Sequence, residues 1–147
     1  MCSSDLNHMN SPILAPVVVL VAWSMVMWTW MYATRLPAMI RLKMKSDPFA
    51  PRGEQMNSLP ARVRWKADNY NHLFEQPTLF YAVALGLAAL GRATAADVTL
   101  CWAYVGSRVV HSIFQATVNR IEVRFVLFIL SSLLLLALSL RLALAVF

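Results

Sequence analysis

Four polar side chains recur at helical spacing within an apolar stretch of the chain. They follow the i, i+4, i+7, i+11 pattern of a single helical face and are Tyr104, Arg108, His111 and Gln115. A guanidinium and an imidazole on one face suit either an anionic ligand or a carboxylate from another helix. No second His or Cys lies at ligand spacing from His111, so the pattern predicts no metal site.

A second polar cluster opens the stretch NYNHLFEQPTLFYAVALGLAALG, residues 69–91. Asn71, His72 and Glu75 stand directly before a run that carries no charged residue. A carboxylate that faces lipid is costly, so this face must lie against other helices, lipid headgroups or a wet cleft. Asn71 and Glu75 are four residues apart and are expected to share one helical face. We interpret His72 as an interface residue rather than a catalyst.

The two clusters are expected to meet. Glu75 and Arg108 lie at similar depth on neighbouring antiparallel helices, so we expect the carboxylate and the guanidinium to approach each other. Such a pair either fixes the register of the helices or forms part of a ligand site, and both readings stay open. Pro77 removes a backbone donor and is expected to kink the second helix near Leu73.

The apolar residues occur in long blocks. The chain has 147 residues, of which 59% are hydrophobic and 14% charged, less charge than a soluble domain carries. A spanning helix needs roughly 20 mostly apolar residues. The blocks predict an all-α membrane protein with one domain over residues 1–147 and four transmembrane helices, near 12–35, 69–91, 94–116 and 121–146. The first block is too long for a signal peptide, and no small-residue cleavage site follows it.

Basic residues are concentrated in one connection. Eight of the thirteen Lys and Arg residues lie between the first and second spans. The positive-inside rule predicts that this loop is cytoplasmic and that both termini lie on the non-cytoplasmic side. Because membrane flanks the loop, lipid headgroups are its expected partner, and no nucleic acid is expected. Arg141, near the far end of the last span, is expected to snorkel to the outer surface.

Two motifs carry a family resemblance. The segment NHLFEQPTLFYA opens the second span, and the run YVGSRVVHSIFQATVNRIEVRF leads from the third span into the fourth. With four spans and a basic first loop, roughly residues 12–145 resemble the MAPEG superfamily, the membrane-associated proteins in eicosanoid and glutathione metabolism. The resemblance is to a divergent bacterial type, which implies a multi-pass protein of the bacterial inner membrane.

The resemblance implies a homotrimer of four-helix protomers. Glutathione, as co-substrate, would lie between neighbouring protomers at the cytoplasmic side, and a small lipophilic substrate would arrive through the bilayer. A basic residue, an amide and a carboxylate on the second helix would hold the tripeptide. Arg64 or Lys66, together with Asn71 and Glu75, take these places here. The family's second-helix arginine falls on Ala67.

The third and fourth helices would complete the site. Arg108 looks like the family's third-span arginine, and His111 stands where glutathione-using members often have tyrosine. An arginine near the start of the fourth helix would stabilise the thiolate. Both Arg120 and Arg124 fit that place, and we favour Arg124 as the catalytic residue because it begins the apolar run.

Two functions therefore remain open from the sequence. The first is a glutathione-dependent transferase or peroxidase that acts on lipophilic substrates. The second is a non-catalytic protein of the same fold that binds membrane lipid or serves as a scaffold. The absence of the expected tyrosines favours the second function, and the surplus of cytoplasmic-side arginines favours the first.

Overall fold

The structure is a computed structural model that describes residues 12–51 and 53–147. These residues form six helices and no strand, which confirms the predicted all-α class. The helices are α1 (Leu14–Arg41), α2 (Glu54–Asn57), α3 (Ala61–His72), α4 (Gln76–Ala89), α5 (Ala95–Thr117) and α6 (Ile121–Val146). Residues 1–11 and Arg52 lie outside the described residues.

Within the described residues, two helices are long and apolar enough to cross a membrane. These are α1 with 28 residues and α6 with 26 residues, each roughly 40 Å long. The first predicted span ends near residue 35, whereas α1 continues to Arg41 with Pro37 inside it. Apolar residues such as Leu36 and Ile40 continue beyond the expected end, and the helix continues with them.

The second predicted span is divided into two helices. α3 ends at His72, residues 73–75 form a turn, and α4 begins at Gln76 with Pro77 in its first turn. Proline is tolerated at that position because a first-turn residue has no intrahelical N–H bond to lose. The predicted disturbance near Leu73 is confirmed, and it is a full break. Asn71 and Glu75 therefore do not share a face of one helix, and that prediction is wrong.

α5 lies between the other long helices and joins them through polar contacts. It packs against α1, α3 and α6, so the predicted second span adjoins the predicted third span mainly through α3. Ser112 Oγ on α5 accepts hydrogen bonds from Trp23 Nε1 on α1 at 3.0 Å and from Asn69 Nδ2 on α3 at 2.7 Å. On α4, the Phe80 ring stacks on Tyr104 with centroids 4.5 Å apart. These contacts fix the helices that carry the polar residues.

Replacing Ser112 by alanine is expected to lower the free energy of unfolding by about 2 kcal/mol. The change leaves the buried Asn69 donor and the Trp23 donor without their acceptor, and an unsatisfied buried donor costs about 1–3 kcal/mol. Thermal unfolding in detergent measures the effect. Ser139→Ala is the matched control, because among residues 12–51 and 53–147 the Ser139 hydroxyl bonds only to the carbonyl of Leu135 in its own helix. Equal stability losses in the two variants would contradict the proposed role of Ser112.

An ion pair joins the start of α5 to the end of α6. Thr94 and Asp97 form a capping box, with the Thr94 N–H donating to Asp97 Oδ2 at 2.8 Å. The Arg141 guanidinium contacts the Asp97 carboxylate and donates to Thr94 Oγ1 at 2.9 Å. The Arg141 side chain, which was expected to snorkel to the outer surface, is 40% exposed, and its guanidinium pairs with Asp97. A buried carboxylate needs a counter-charge, and Arg141 is the cation within reach of Asp97.

Candidate functional site

Two clefts lie on either side of the C-terminal end of α3. The first, here called the α2 cleft, has a volume of about 380 Å³ and lies between α1, α2 and α3. The polar residues that line it are Arg35, Asn57, Arg64, Asp68 and Asn71. The second, here called the histidine cleft, has a volume of about 400 Å³ and is lined by His72, His111, Ile121, Arg124, Phe125 and Phe128. Because Asn71 and His72 are adjacent, one end of α3 contributes to both clefts.

The α2 cleft combines both signs of charge. Arg35 and Arg64 supply two guanidinium groups, and Asp68 supplies a carboxylate. Arg64 Nε is buried and, within the described part of the chain, has no hydrogen-bond partner. A buried donor without a partner is costly to the fold, and a ligand that reached it would offset that cost. Gly53 forms one wall with φ +86°, a left-handed conformation that glycine adopts without strain and that starts α2.

The histidine cleft is lined by a hydrogen-bonded imidazole, a cation and an apolar wall. His72 Nδ1 lies 2.6 Å from Glu75 Oε2. The ring of His72 lies 5.1 Å from that of His111 and 5.6 Å from that of Phe128. Arg124 Nη1 donates to Asn119 Oδ1 at 2.7 Å, which fixes the guanidinium at the mouth of the cleft. Arg124 Nε is buried without a hydrogen-bond partner among residues 12–51 and 53–147.

Arg108 lies behind the histidine cleft and does not pair with Glu75. It is 0% exposed, and its Nη2 donates to the carbonyl oxygen of His72 at 3.2 Å and its Nη1 to Gln76 Oε1 at 3.5 Å. The predicted approach of Glu75 to Arg108 as an ion pair is wrong, because the turn at 73–75 directs the carboxylate to His72 instead. The predicted polar face of α5 is confirmed: Tyr104, Arg108, His111 and Gln115 are all buried.

Lys66 lines neither cleft. Its Nζ lies 5.1 Å from the centroid of the Trp30 ring and donates to the carbonyl of Arg62 at 2.7 Å. Two residues further along a helix than Arg64, Lys66 faces α1 rather than the α2 cleft. Of the two basic residues predicted to hold the tripeptide, only Arg64 lies in a cleft.

The single predicted site is thus divided among three places. Arg64 and Asn71 line the α2 cleft, whereas His111 and Arg124 line the histidine cleft. Glu75 reaches the histidine cleft through His72, and Arg108 lies behind it. Arg120, the alternative to Arg124, is the N-cap residue of α6 and lines neither cleft.

Sequence reasoning missed three residues of the clefts. Arg35 and Asp68 line the α2 cleft but are not among the site residues predicted from the sequence. His72 was interpreted as an interface residue. No periodic signal joins His72 to Glu75, because the turn at residues 73–75 brings the two side chains together. Among the described residues, no group of three or more His, Cys, Asp or Glu side chains is placed to hold a metal ion.

The helices and the two clefts together define a class of protein. Two long apolar helices, with polar clefts beside the helix ends, indicate a helical membrane protein. The sequence model described as the MAPEG family matches residues 13–144, nearly the whole chain, and the protein belongs to that family. Searches of curated proteins and of solved structures returned no match.

Proposed function

We propose that the protein is a membrane-bound, glutathione-dependent transferase or peroxidase that acts on lipophilic substrates. The observation that carries this proposal is the α2 cleft, in which two arginines and one aspartate surround a volume of about 380 Å³. That volume lies within the range of small-molecule sites, about 300–1,000 Å³. Membership of the MAPEG family, whose name refers to glutathione metabolism, supports the same reading.

The charges of the α2 cleft match those of glutathione. The tripeptide carries two carboxylates and one ammonium, so its site needs both cations and an anion. In this proposal Arg35 and Arg64 bind the carboxylates, Asp68 binds the ammonium, and the Asn71 amide bonds to the peptide backbone. The unpartnered Arg64 Nε then gains an acceptor, which offsets the cost of its burial.

The assembly that we propose is a homotrimer in the bacterial inner membrane. α3 and α4 together would make the second crossing and α5 the third, with both termini on the non-cytoplasmic side. Phe125 is 62% exposed and Ile121 is 75% exposed, so the wall of the histidine cleft can meet lipid or a neighbouring protomer. In a trimer, the histidine cleft of one protomer would lie beside the α2 cleft of the next, which brings Arg124 to the thiol.

A second candidate function is a lipid-binding protein without catalysis. The observation that favours it is the composition of the histidine cleft, where Arg124 stands beside Ile121, Phe125 and Phe128. A cation next to an exposed apolar wall suits an anionic lipid. Such a protein would bind anionic lipid at the histidine cleft and show no affinity for glutathione.

Calorimetric titration of the detergent-purified protein with glutathione tests the proposal. Arg64→Gln is expected to weaken binding by about 10- to 100-fold, since a hydrogen bond to a charged group contributes about 1.5–3 kcal/mol. Arg62→Gln is the matched control, because Arg62 lies on the same helix, is exposed, and does not line the cleft. The absence of binding heat at millimolar glutathione, from a folded oligomer, would contradict the enzyme function and favour the lipid-binding one.

A further inference from the structure

We infer that His72 is the proton acceptor for the bound thiol and that Glu75 is the residue that positions it. The inference rests on the proposed function and deepens it, by assigning the base that the reaction needs. A thiol is a poor nucleophile until it loses its proton, and an adjacent histidine is one of the common ways to remove it. The evidence is the geometry of His72, Glu75 and Arg124 in the histidine cleft.

The contact with Glu75 selects which ring nitrogen of His72 can accept a proton. Glu75 Oε2 lies 2.6 Å from His72 Nδ1, and an ionised carboxylate can only accept a hydrogen bond. Nδ1 therefore carries the hydrogen, and Nε2 of the neutral ring keeps its lone pair. Within the part of the chain that the structure describes, the hydrogen bond of the His72 ring is the one between Nδ1 and Glu75. Nε2 is thus the free base of the pair.

The break between α3 and α4 creates this arrangement. His72 is the last residue of α3, and Glu75 is the N-cap residue of α4 with φ −87° and ψ −93°, outside helical geometry. The turn brings the carboxylate back to the imidazole instead of carrying it on along the same helix. The His72 side chain is 19% exposed and lines the cleft, while that of Glu75 is 68% exposed. The base is therefore accessible from the cleft.

The charges around His72 suit a thiolate as product. From α5, Arg108 and His111 face it, and from α6, Arg124 does. Glu75, at the start of α4, supplies the negative charge. When the thiolate forms, Arg124 stabilises the sulfur, and the Glu75 carboxylate balances the new imidazolium. This is the combination of base and orienting carboxylate found in nucleophile-activating sites generally.

The reaction step is balanced. The S–H bond of glutathione breaks, its proton moves to Nε2 of His72, and its electron pair stays on sulfur. The sulfur then attacks the electrophilic carbon of the lipophilic substrate, an S–C bond forms, and the bond to the leaving group breaks. The leaving group takes the electron pair of that bond, and the imidazolium returns the proton to it or to water. Ile121, Phe125 and Phe128 offer the apolar wall for the electrophile.

Ultraviolet titration of the thiolate, measured on the full-length protein in detergent with saturating glutathione, tests the assignment. His72→Gln is expected to lower the conjugation rate at neutral pH by about 100-fold, the lower end of general-base effects. It is also expected to move the thiolate transition to higher pH while calorimetry shows unchanged glutathione affinity. Glu75→Gln keeps an acceptor but removes the charge, and a smaller shift in the same direction is expected. Glu122→Gln, at an exposed carboxylate of α6 outside the cleft, is the control.

The outcomes separate this assignment from the proposed function. Unchanged thiolate titration and rate in both His72→Gln and Glu75→Gln, with glutathione still bound, would overturn the role of His72 and leave the function intact. Glutathione that fails to bind the wild-type protein would overturn both. If His72→Gln fails to form the native oligomer, Glu75→Gln, at an exposed side chain, still tests the assignment. A rate and a pH profile in Glu75→Gln equal to those of the wild type would overturn the roles assigned to His72 and Glu75.

Discussion

Replacing Arg108 by methionine is expected to stabilise the protein while it impairs thiol activation. The guanidinium is 0% exposed, yet no carboxylate lies within 4 Å of it among the described residues. Removing an ion from water costs several kcal/mol, and the two acceptors of Arg108, the His72 carbonyl and Gln76 Oε1, repay only part of that cost. The methionine side chain has a length similar to that of arginine and carries no charge. We expect the free energy of unfolding to rise by about 1–3 kcal/mol.

Thermal unfolding of the detergent-purified protein measures the stability effect. Arg108→Lys is the matched control: it keeps the buried charge, so no stabilisation is expected. The same Arg108→Met variant is expected to lower the rate of conjugation about tenfold, because a cation near the histidine cleft contributes about 1.4 kcal/mol to thiolate formation. A melting temperature several degrees lower in Arg108→Met would show instead that Arg108 mainly fixes the helices.

This prediction separates the two readings that the sequence left open for Arg108. The pairing with Glu75, which would have made the arginine a structural element, does not occur. A buried cation held only by a carbonyl and an amide is an expensive structural element, because an apolar side chain would fill the same place without the desolvation cost. Proteins retain such groups where function needs them, and intramembrane charges are functional candidates for the same reason.

The sequence predicted the helices and the polar face of α5 because both depend on regular periodicity. The spacing of Tyr104, Arg108, His111 and Gln115 places them on one side of any straight helix, and all four are buried. The predicted end of the first span, near residue 35, was less accurate, since α1 continues through Pro37 to Arg41. Periodicity states which residues share a face, but it does not state where a helix ends.

The candidate site was predicted less well because a short turn decides it. The turn at residues 73–75 places the Glu75 side chain against His72 and not on the helical face that it was expected to share with Asn71. No periodic signal in the sequence predicts that turn. The choice between Arg64 and Lys66 depended on which helix packs on which side of α3. Lys66 packs on Trp30 of α1, and Arg64 lines the α2 cleft, an arrangement that a local pattern cannot show.

The assembly of the α2 cleft also depends on long-range packing. Arg35 on α1 and Asp68 on α3 are far apart in sequence, and the packing of α1 against α3 brings them to one cleft. The sequence identified most of the charged residues near the C-terminal end of α3, but it could not assign them to two separate clefts. In the proposed trimer, a neighbouring protomer would bring the two kinds of cleft together.

Replacing Arg124 by alanine is expected to lower the rate of glutathione conjugation by about 100- to 1,000-fold. Removing one preorganised donor from a developing anion has an effect of this size. Arg124 lines the histidine cleft, Asn119 Oδ1 holds its Nη1 at 2.7 Å, and its buried Nε is without a hydrogen-bond partner in the described part of the chain. The group is therefore fixed in place and able to donate to a thiolate. Steady-state assays with a soluble aryl halide electrophile measure the effect.

Arg120→Ala is the matched control for that variant, because both arginines lie near the start of α6 and carry the same charge. Arg120 lines neither cleft, so its removal is expected to leave the rate unchanged apart from a small effect of surface charge. The glutathione affinity of both variants should equal that of the wild type, since the α2 cleft holds the tripeptide. Equal losses of rate in the two variants would mean that α6 acts through its overall positive charge. A loss confined to Arg120→Ala would place the thiol outside the histidine cleft and contradict the assignment of Arg124.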